Sequence, residues 1–357
     1  MTGHVLVGYD GSASSRWALR WAALEAGRRA ATLDVLAVVD HGPLETCAPA
    51  QMVRWWEAAR ARARQRASEA VSLAATTAPG VEVTAVADVG EPGALLVGAS
   101  RRADLVVLGA GSRSGGRARR PGRVLQAVAT NGHCPVIMIA QPNPHHAGPD
   151  RQVVVGVDGS RRAQQALDFA AASAAVTAAP LLVVCVWSPT VTPPGAAVRP
   201  QTPGRLTEPD AAREVAQAAV ARVSGRFPQL DTSRIVVPGY PPAVLARHAR
   251  GAGLLAVGRR GSGGESLVFG SVSQALMRAA PCPLAVVGMV GPIADRAPSA
   301  ADRRGAGATS TSPVPAGASV VINLGTSRAD PGSRRGSGSG TRRTSGPPVR
   351  GKPSVTT

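Results

Sequence analysis

An internal duplication constrains this chain of 357 residues more than any other feature. Three segments recur at a nearly constant spacing: HVLVGYDGS (4–12) as QVVVGVDGS (152–160), ADLVVLGAG (103–111) as AGLLAVGRR (252–260), and HCPVIMIA (133–140) as PCPLAVVG (281–288). The offset is 148 residues for the first and third pairs and 149 residues for the second. Because three well-separated segments keep the same spacing, the sequence predicts two repeats of one folding unit.

Within each repeat, short apolar segments alternate with segments of helical character. The run HVLVGY is typical of a buried strand, and the DGS that follows can begin a helix, since Asp and Ser are common N-caps. A long arginine-rich helix is predicted at about 51–77. Strands that are apolar throughout and alternate with helices indicate a parallel sheet covered on both faces. The sequence therefore predicts an α/β fold of two doubly wound domains, each with a five-stranded parallel sheet. We expect the strand order 3-2-1-4-5, because it makes strands 1 and 4 neighbours and so brings the turns that follow them to one crevice.

Changes in composition give the predicted domain boundaries. The two repeats occupy residues 1–140 and 151–290, and the proline-rich segment 141–150 is typical of a short, stiff linker. Residues 291–357 are rich in Gly, Ser, Pro and Thr, so they have too few apolar side chains to offset the entropy cost of folding. This tail is predicted to be disordered, with the apolar patch ASVVINLG (318–325) as its only candidate for folding or docking.

The net charge of +18 raises the question of nucleic-acid binding. The tail has ten basic residues and three acidic ones, so it contributes +7 of this charge. It has no aromatic residue that could stack on a base, which favours a solvated tail over a nucleic-acid site. Nucleic-acid association through the tail is therefore the less favoured alternative.

The cysteines and the apolar segments bear on the compartment. The four cysteines form no CxxC pair, and Cys134 and Cys282 occupy equivalent positions in the two repeats, which favours buried, reduced thiols and a cytoplasmic protein. No segment reaches the roughly 18 apolar residues that a membrane span requires, and the N-terminus does not resemble a signal peptide. The sequence also offers no metal-binding cluster and no serine in the context of a hydrolase. We therefore expect a cytoplasmic protein without catalytic residues or a metal site.

Each repeat has a glycine-rich loop after its fourth strand. In the second repeat this is GRRGSGGESLVFGSVS, residues 258–273, which leads into a predicted helix. Glycine lets the backbone approach a ligand closely and adopt positive φ, and the first N–H groups of a helix favour an anion. Lys352 is the only lysine, which excludes a phosphate loop of the GxxxxGK type. Phosphate binding and a plain surface loop both remain open at this point.

Three features together resemble a tandem member of the universal stress protein family. They are VGVDGS after the first strand, the loop G-x2-G-x8-G-S after the fourth strand, and CPL at the start of the fifth. The resemblance covers about residues 3–140 and 151–289. It implies an ATP-binding regulator of the stress response, with or without Mg²⁺ and with at most slow hydrolysis. It also implies that the fifth strands pair, so that the repeats form an internal pseudo-dimer; further homo-oligomerisation is open.

The resemblance implies a nucleotide site in the second repeat. Asp158 would lie near the ribose or the metal-bound phosphates, although it could equally be a plain helix N-cap, and the backbone of Val186 would contact adenine. The ribose and phosphates would be held by Gly258, Gly261, Gly270, Ser271 and Ser273. ATP-binding members follow the pattern G-x2-G-x9-G-[ST], so this loop is one residue shorter than the family pattern.

The first repeat departs further from the pattern. Its equivalent site residues are Asp10, Val38, Gly109, Ser112 and Gly122. Ser112 replaces the second glycine, Arg123 replaces the final Ser or Thr, and Pro121 removes one N–H donor. We therefore expect the principal ATP site in the second repeat. The alternative is a family member that binds no nucleotide and acts through protein–protein contact.

Overall fold

The computed structural model describes residues 3–40, 49–111, 121–140, 151–188, 209–259, 270–288 and 323–324. The strands in these ranges are β1 (His4–Gly8), β2 (Thr32–Val39), β3 (Val83–Val89), β4 (Leu105–Gly109), β5 (Val136–Ile139), β6 (Val153–Val157), β7 (Leu181–Trp187), β8 (Thr232–Pro238), β9 (Leu254–Gly258), β10 (Leu284–Val287) and β11 (Asn323–Leu324). The helices are α1 (Ala13–Arg29), α2 (Pro49–Thr77), α3 (Pro92–Ala99), α4 (Arg123–Asn131), α5 (Arg161–Thr177), α6 (Pro209–Arg226), α7 (Pro241–His248) and α8 (Ser271–Ala279).

All of these strands belong to one sheet, in the order β11-β3-β2-β1-β4-β5-β10-β9-β6-β7-β8. The first repeat has the order β3-β2-β1-β4-β5 and the second has β8-β7-β6-β9-β10, so the predicted order 3-2-1-4-5 is confirmed in both. Within each repeat every pairing is parallel. The α/β class expected from the apolar strands is confirmed as well.

The two five-stranded sheets meet along β5 and β10. These strands pair antiparallel, with Val136 opposite Val286, and Ile137 opposite Ala285. All residues of both strands are buried. A short, fully apolar strand is costly to leave at the edge of a sheet, so each repeat covers the edge that the other would expose.

Apolar side chains pack on both faces of this sheet. One layer includes buried residues of α1, α2, α5 and α6, and the other includes buried residues of α3, α4, α7 and α8. Each layer continues across both repeats. Alanine supplies much of the helix side of the first layer, as at Ala18, Ala22 and Ala26 of α1, and these small side chains let the helix lie close to the strands.

A charged cluster joins α1 to α5 within the first layer. The guanidinium Nε of Arg29 donates to Glu25 Oε1 at 2.7 Å, and its Nη2 donates to Ser173 Oγ of the second repeat at 3.0 Å. The same guanidinium lies 5.8 Å from the ring centroid of Phe169. Arg28 approaches the other carboxylate oxygen of Glu25 at 3.5 Å. Glu25 is buried, so this pair of arginines provides the charge that its carboxylate needs.

The described part of the tail is limited to β11. Its two residues extend the sheet beyond β3, with Asn323 opposite Val86 and Leu324 opposite Ala87 in parallel register. They lie in the patch 318–325, which the sequence singles out as the tail's only candidate for folding or docking. Backbone pairing to an edge strand requires little apolar surface, so two residues can pair in this way. The rest of the tail and the linker 141–150 lie outside the described residues.

Candidate functional site

The strand order places a crevice in each repeat. β6 pairs with β7 on one side and β9 on the other, and β1 pairs in the same way with β2 and β4. In open parallel sheets a ligand binds beyond the carboxyl ends of the strands, where the chain order reverses. The DGS turns follow β6 and β1, and the glycine loops follow β9 and β4. Each crevice is therefore bordered by one DGS turn and by the described residues that flank one glycine loop.

The two DGS turns have the same geometry. Asp10 Oδ1 accepts the N–H of Ser12 at 2.9 Å, and Asp158 Oδ1 accepts the N–H of Ser160 at 3.0 Å. The glycine between them has φ +80° in the first repeat and +81° in the second, a conformation that side chains rarely adopt. Each turn thus holds its aspartate at the carboxyl end of the first strand of its repeat.

Serine, and not aspartate, caps the helices that follow these turns. Ser12 Oγ accepts the N–H of Ser15 at 3.2 Å, and Ser160 Oγ accepts the N–H of Ala163 at 3.1 Å. The alternative interpretation of Asp158 as a helix N-cap is therefore wrong. Because serine satisfies the first turn, the aspartate two residues earlier is not needed for that purpose.

The carboxylate of Asp158 acts on its neighbour in the second repeat. Cys185 lies opposite Val157 in the β6–β7 pairing, and Val157 is the residue that precedes Asp158 in the chain. Burial, together with the negative charge of Asp158, raises the pKa of the Cys185 thiol to about 12. This thiol is protonated at neutral pH and is no nucleophile. The described cysteines Cys134, Cys185 and Cys282 are buried thiols, as the sequence predicts, while Cys47 lies outside the described residues.

Helix α8 begins at the far side of the second crevice. Its N-cap is Gly270, which has no side chain to accept from the N–H groups of the first turn. The N–H of Gly270 donates to the carbonyl of Arg259 at 3.0 Å, which closes the base of the glycine loop. Ser271 is the first helical residue and is exposed. A glycine-capped helix start of this kind leaves its N–H groups and dipole to an anion.

Ser273 lies deeper than its predicted role requires. It is 1% exposed, and its Oγ is within hydrogen-bonding distance of the carbonyls of Arg259, at 2.9 Å, and Gly270, at 3.0 Å. This geometry favours a role in holding the two ends of the loop together over direct contact with a ligand. Gly258 is the last residue of β9 and pairs with Val287, so its backbone is extended and the expected positive φ is not found. Gly261 lies outside the described residues.

The first crevice is built from equivalent elements. Gly109 ends β4, and a Cβ at this position would lie 2.7 Å from the carbonyl carbon of Ser14 in α1. The close approach of strand and helix therefore requires glycine here, whether or not a ligand binds. Gly122 is the N-cap of α4 and, like Gly270, has no side chain to cap the helix. Ser112 lies outside the described residues.

Val38 and Val186 lie at equivalent positions near the ends of β2 and β7. In the first repeat, Arg66 of α2 donates from Nη1 to the carbonyl oxygen of Val38 at 3.2 Å. Partial burial alone raises the pKa of Asp10, but hydrogen bonds from Ser12 and Ser15 and the positive charge of Arg66 outweigh it and lower the pKa. Sequence reasoning missed Arg66, although an alignment of the two repeats shows that the charged residue of the first is replaced by an apolar residue in the second. The residue 149 positions later is Val215.

The described helices and side chains add two general findings. No described helix is both long enough and apolar enough to cross a membrane. No group of three or more His, Cys, Asp or Glu side chains among the described residues is arranged to hold a metal ion.

Comparison with known proteins relates the chain to one family. The model of the universal stress protein family matches residues 1–140 and 151–288. A universal stress protein of Mycobacterium bovis is 30% identical over 296 residues, which cover 79% of this chain and 96% of the relative. One from Mycobacterium tuberculosis is 29% identical over 300 residues, which cover 79% of this chain and 95% of the relative.

Solved structures share the fold. A universal stress protein from Archaeoglobus fulgidus superimposes with a TM-score of 0.60 at 20% identity, covering 81% of this chain and 98% of its own. A putative universal stress protein from Pseudomonas aeruginosa gives a TM-score of 0.54 at 14% identity, with coverage of 83% and 96%. At such low identity the likeness concerns the arrangement of strands and helices.

Proposed function

The chain belongs to the universal stress protein family, and we propose that it acts as an ATP-binding, cytoplasmic regulator in the stress response, with at most slow hydrolysis. One observation carries the proposal. In the second repeat, the DGS turn and the glycine-capped start of α8 follow the neighbouring strands β6 and β9. The same residues make up the motifs by which the chain resembles ATP-binding members.

Each part of the second crevice has a role in this proposal. The first-turn N–H groups of α8 and the backbone at Gly258, Gly261 and Gly270 would bind the phosphates, with the hydroxyl of Ser271 as a further donor. The carboxylate of Asp158 would bind the ribose or a Mg²⁺ ion that accompanies the phosphates, because hard cations prefer oxygen ligands. The carbonyl near Val186 would accept from the amino group of adenine.

The first crevice is proposed to be the weaker site. Pro121 lacks an N–H, Arg123 replaces the hydroxyl residue, and Ser112 replaces a loop glycine. A hydrogen bond to a charged group contributes about 1.5–3 kcal/mol, so the loss of one donor weakens binding by roughly tenfold to a hundredfold. We therefore propose one tightly bound ATP per chain.

The organisation into two domains, residues 1–140 and 151–290, is part of the same proposal. The antiparallel contact of β5 with β10 supports an internal pseudo-dimer of these domains. The contact is within one chain, so its formation does not depend on protein concentration.

Isothermal titration calorimetry of the full chain with ATP tests the proposal. We expect one site, weakened at least tenfold by Asp158→Ala and largely retained in Asp10→Ala. Native mass spectrometry of the purified protein should agree on the copy number. Two equal sites, or binding that persists in Asp158→Ala and disappears in Asp10→Ala, would contradict the assignment to the second repeat. The absence of any ATP binding would contradict the function itself and favour the alternative of protein–protein contact.

A further inference from the structure

The carbonyl oxygen of Val38 is already engaged in the first repeat. It accepts a hydrogen bond from Arg66 Nη1 at 3.2 Å, so a side chain of the protein itself reaches across from α2 to the end of β2. The same side chain passes the DGS turn, since a Cβ at Gly11 would lie 3.9 Å from Arg66 Nε. Arg66 is partly buried there. One guanidinium therefore lies between the ends of β1 and β2.

The second repeat has no such donor at the equivalent position. The counterpart of Arg66 is Val215 on α6, and a Cβ at Gly159 would lie 3.3 Å from Val215 Cγ2. Arg66 and Val215 therefore occupy equivalent places in the two repeats, each beside the glycine of its own DGS turn. Valine has no hydrogen-bond donor, so it cannot engage the Val186 carbonyl as Arg66 engages that of Val38.

The charge of Arg66 also acts on the first turn. Partial burial raises the pKa of Asp10. The hydrogen bonds from Ser12 and Ser15 lower this pKa, and the positive charge of Arg66 adds to the lowering. The carboxylate equivalent to Asp158 is thus already compensated by a cation of the protein.

We propose that Arg66 closes the adenine end of the first crevice, an inference that rests on the proposed ATP function. The residue at position 66 in the first repeat, and at position 215 in the second, then determines whether that repeat accepts the base. The amino group of adenine is a donor and needs the carbonyl that Arg66 occupies. To bind there, the nucleotide must displace a charged hydrogen bond, which weakens its affinity by about tenfold to a hundredfold. The guanidinium offers only donors in exchange.

Exchanging the two residues tests this inference. Calorimetry with ATP on the full chain compares Val215→Arg with Gln217→Arg, which adds the same charge at an exposed position of α6. We expect Val215→Arg to weaken the second site at least tenfold and Gln217→Arg to leave its affinity within about twofold. Conversely, in an Asp158→Ala background, Arg66→Val should strengthen ATP binding at the first site at least tenfold. Arg64→Val, at an exposed position of α2, should not.

The outcomes separate this inference from the proposed function. If the wild type binds ATP and Val215→Arg binds it equally well, or Arg66→Val gains nothing, the inference is overturned and the function stands. If the wild type binds no ATP, the proposed function fails; ATP binding that then appears in Arg66→Val still supports the inference, and its absence overturns it. Circular dichroism checks that each variant folds. If Val215→Arg does not fold, Arg66→Val alone decides.

Discussion

Replacing Arg29 with Met should lower the free energy of unfolding by about 3 kcal/mol. The side chain of Glu25 is only 4% exposed, and its 2.7 Å bond to Arg29 Nε is the shorter of its two arginine contacts. Removing one partner of a buried ion pair costs about 3–5 kcal/mol, because the other charge is left without compensation. Arg29 is 22% exposed and Arg28 remains at 3.5 Å, so we expect the low end of that range. The bond from Arg29 to Ser173 is lost as well.

Thermal and urea unfolding of the full chain, followed by circular dichroism, measure this loss. At about 2.1 cal/mol/K of unfolding entropy per residue, two repeats that unfold together lose roughly 1.7 °C per kcal/mol, so Tm should fall by about 5 °C. Arg28→Met is the matched control and should cost less than about 1 kcal/mol, because its contact with Glu25 is longer and more exposed. The double variant Glu25→Leu with Arg29→Met should recover at least half of the loss, since no buried charge remains.

Two results would refute this reasoning. If the double variant is as unstable as Arg29→Met alone, the loss comes from packing and not from the carboxylate of Glu25. If Arg28→Met costs as much as Arg29→Met, the difference between 2.7 Å and 3.5 Å has no energetic meaning in this cluster.

Two smaller perturbations bear on the crevices. Gly109→Ala should destabilise the chain by about 2 kcal/mol in urea unfolding, because its Cβ would lie 2.7 Å from the backbone of Ser14, whereas Gly122→Ala, with no atom within 4 Å, should cost less than about 1 kcal/mol. Similar losses for both would contradict the steric argument. The pKa of Asp10 is lowered from 3.8 on folding, so its contribution to stability is present above pH 4 and is lost as pH falls through the folded-state pKa. Asp10→Asn should therefore be less stable than the wild type at pH 7, and the difference should shrink as the pH falls below 4; a difference that does not change over this range would contradict this.

The regular part of the fold could be predicted because its causes are local and occur twice. Uniformly apolar strands indicate a sheet covered on both faces, and the predicted helix at about 51–77 is observed at Pro49–Thr77. The turns after β1 and β6 were located correctly because aspartate, glycine and serine favour such turns for separate physical reasons. Only the detailed hydrogen bonding shows that Ser12 and Ser160 are the caps.

The contacts that the sequence did not reveal connect residues far apart in the chain. Arg66 contacts Val38 across 28 residues, and Arg29 contacts Ser173 across 144. Both arginines belong to helices with many basic residues, so nothing in the local pattern distinguishes them from solvated ones. The buried position of Ser273 was missed for a related reason, because a serine at the start of a helix is more often exposed.

The antiparallel contact of β5 with β10 also determines how the chain can meet other molecules. Since the two halves of the sheet run in opposite directions, the strand ends that carry Asp10 and Asp158 lie at opposite ends of the sheet, along the strand direction. A single flat surface can cover only one of these two ends of the sheet. Molecules that approach the two crevices must therefore come from opposite ends of the sheet, and one that covers the first crevice leaves the second open.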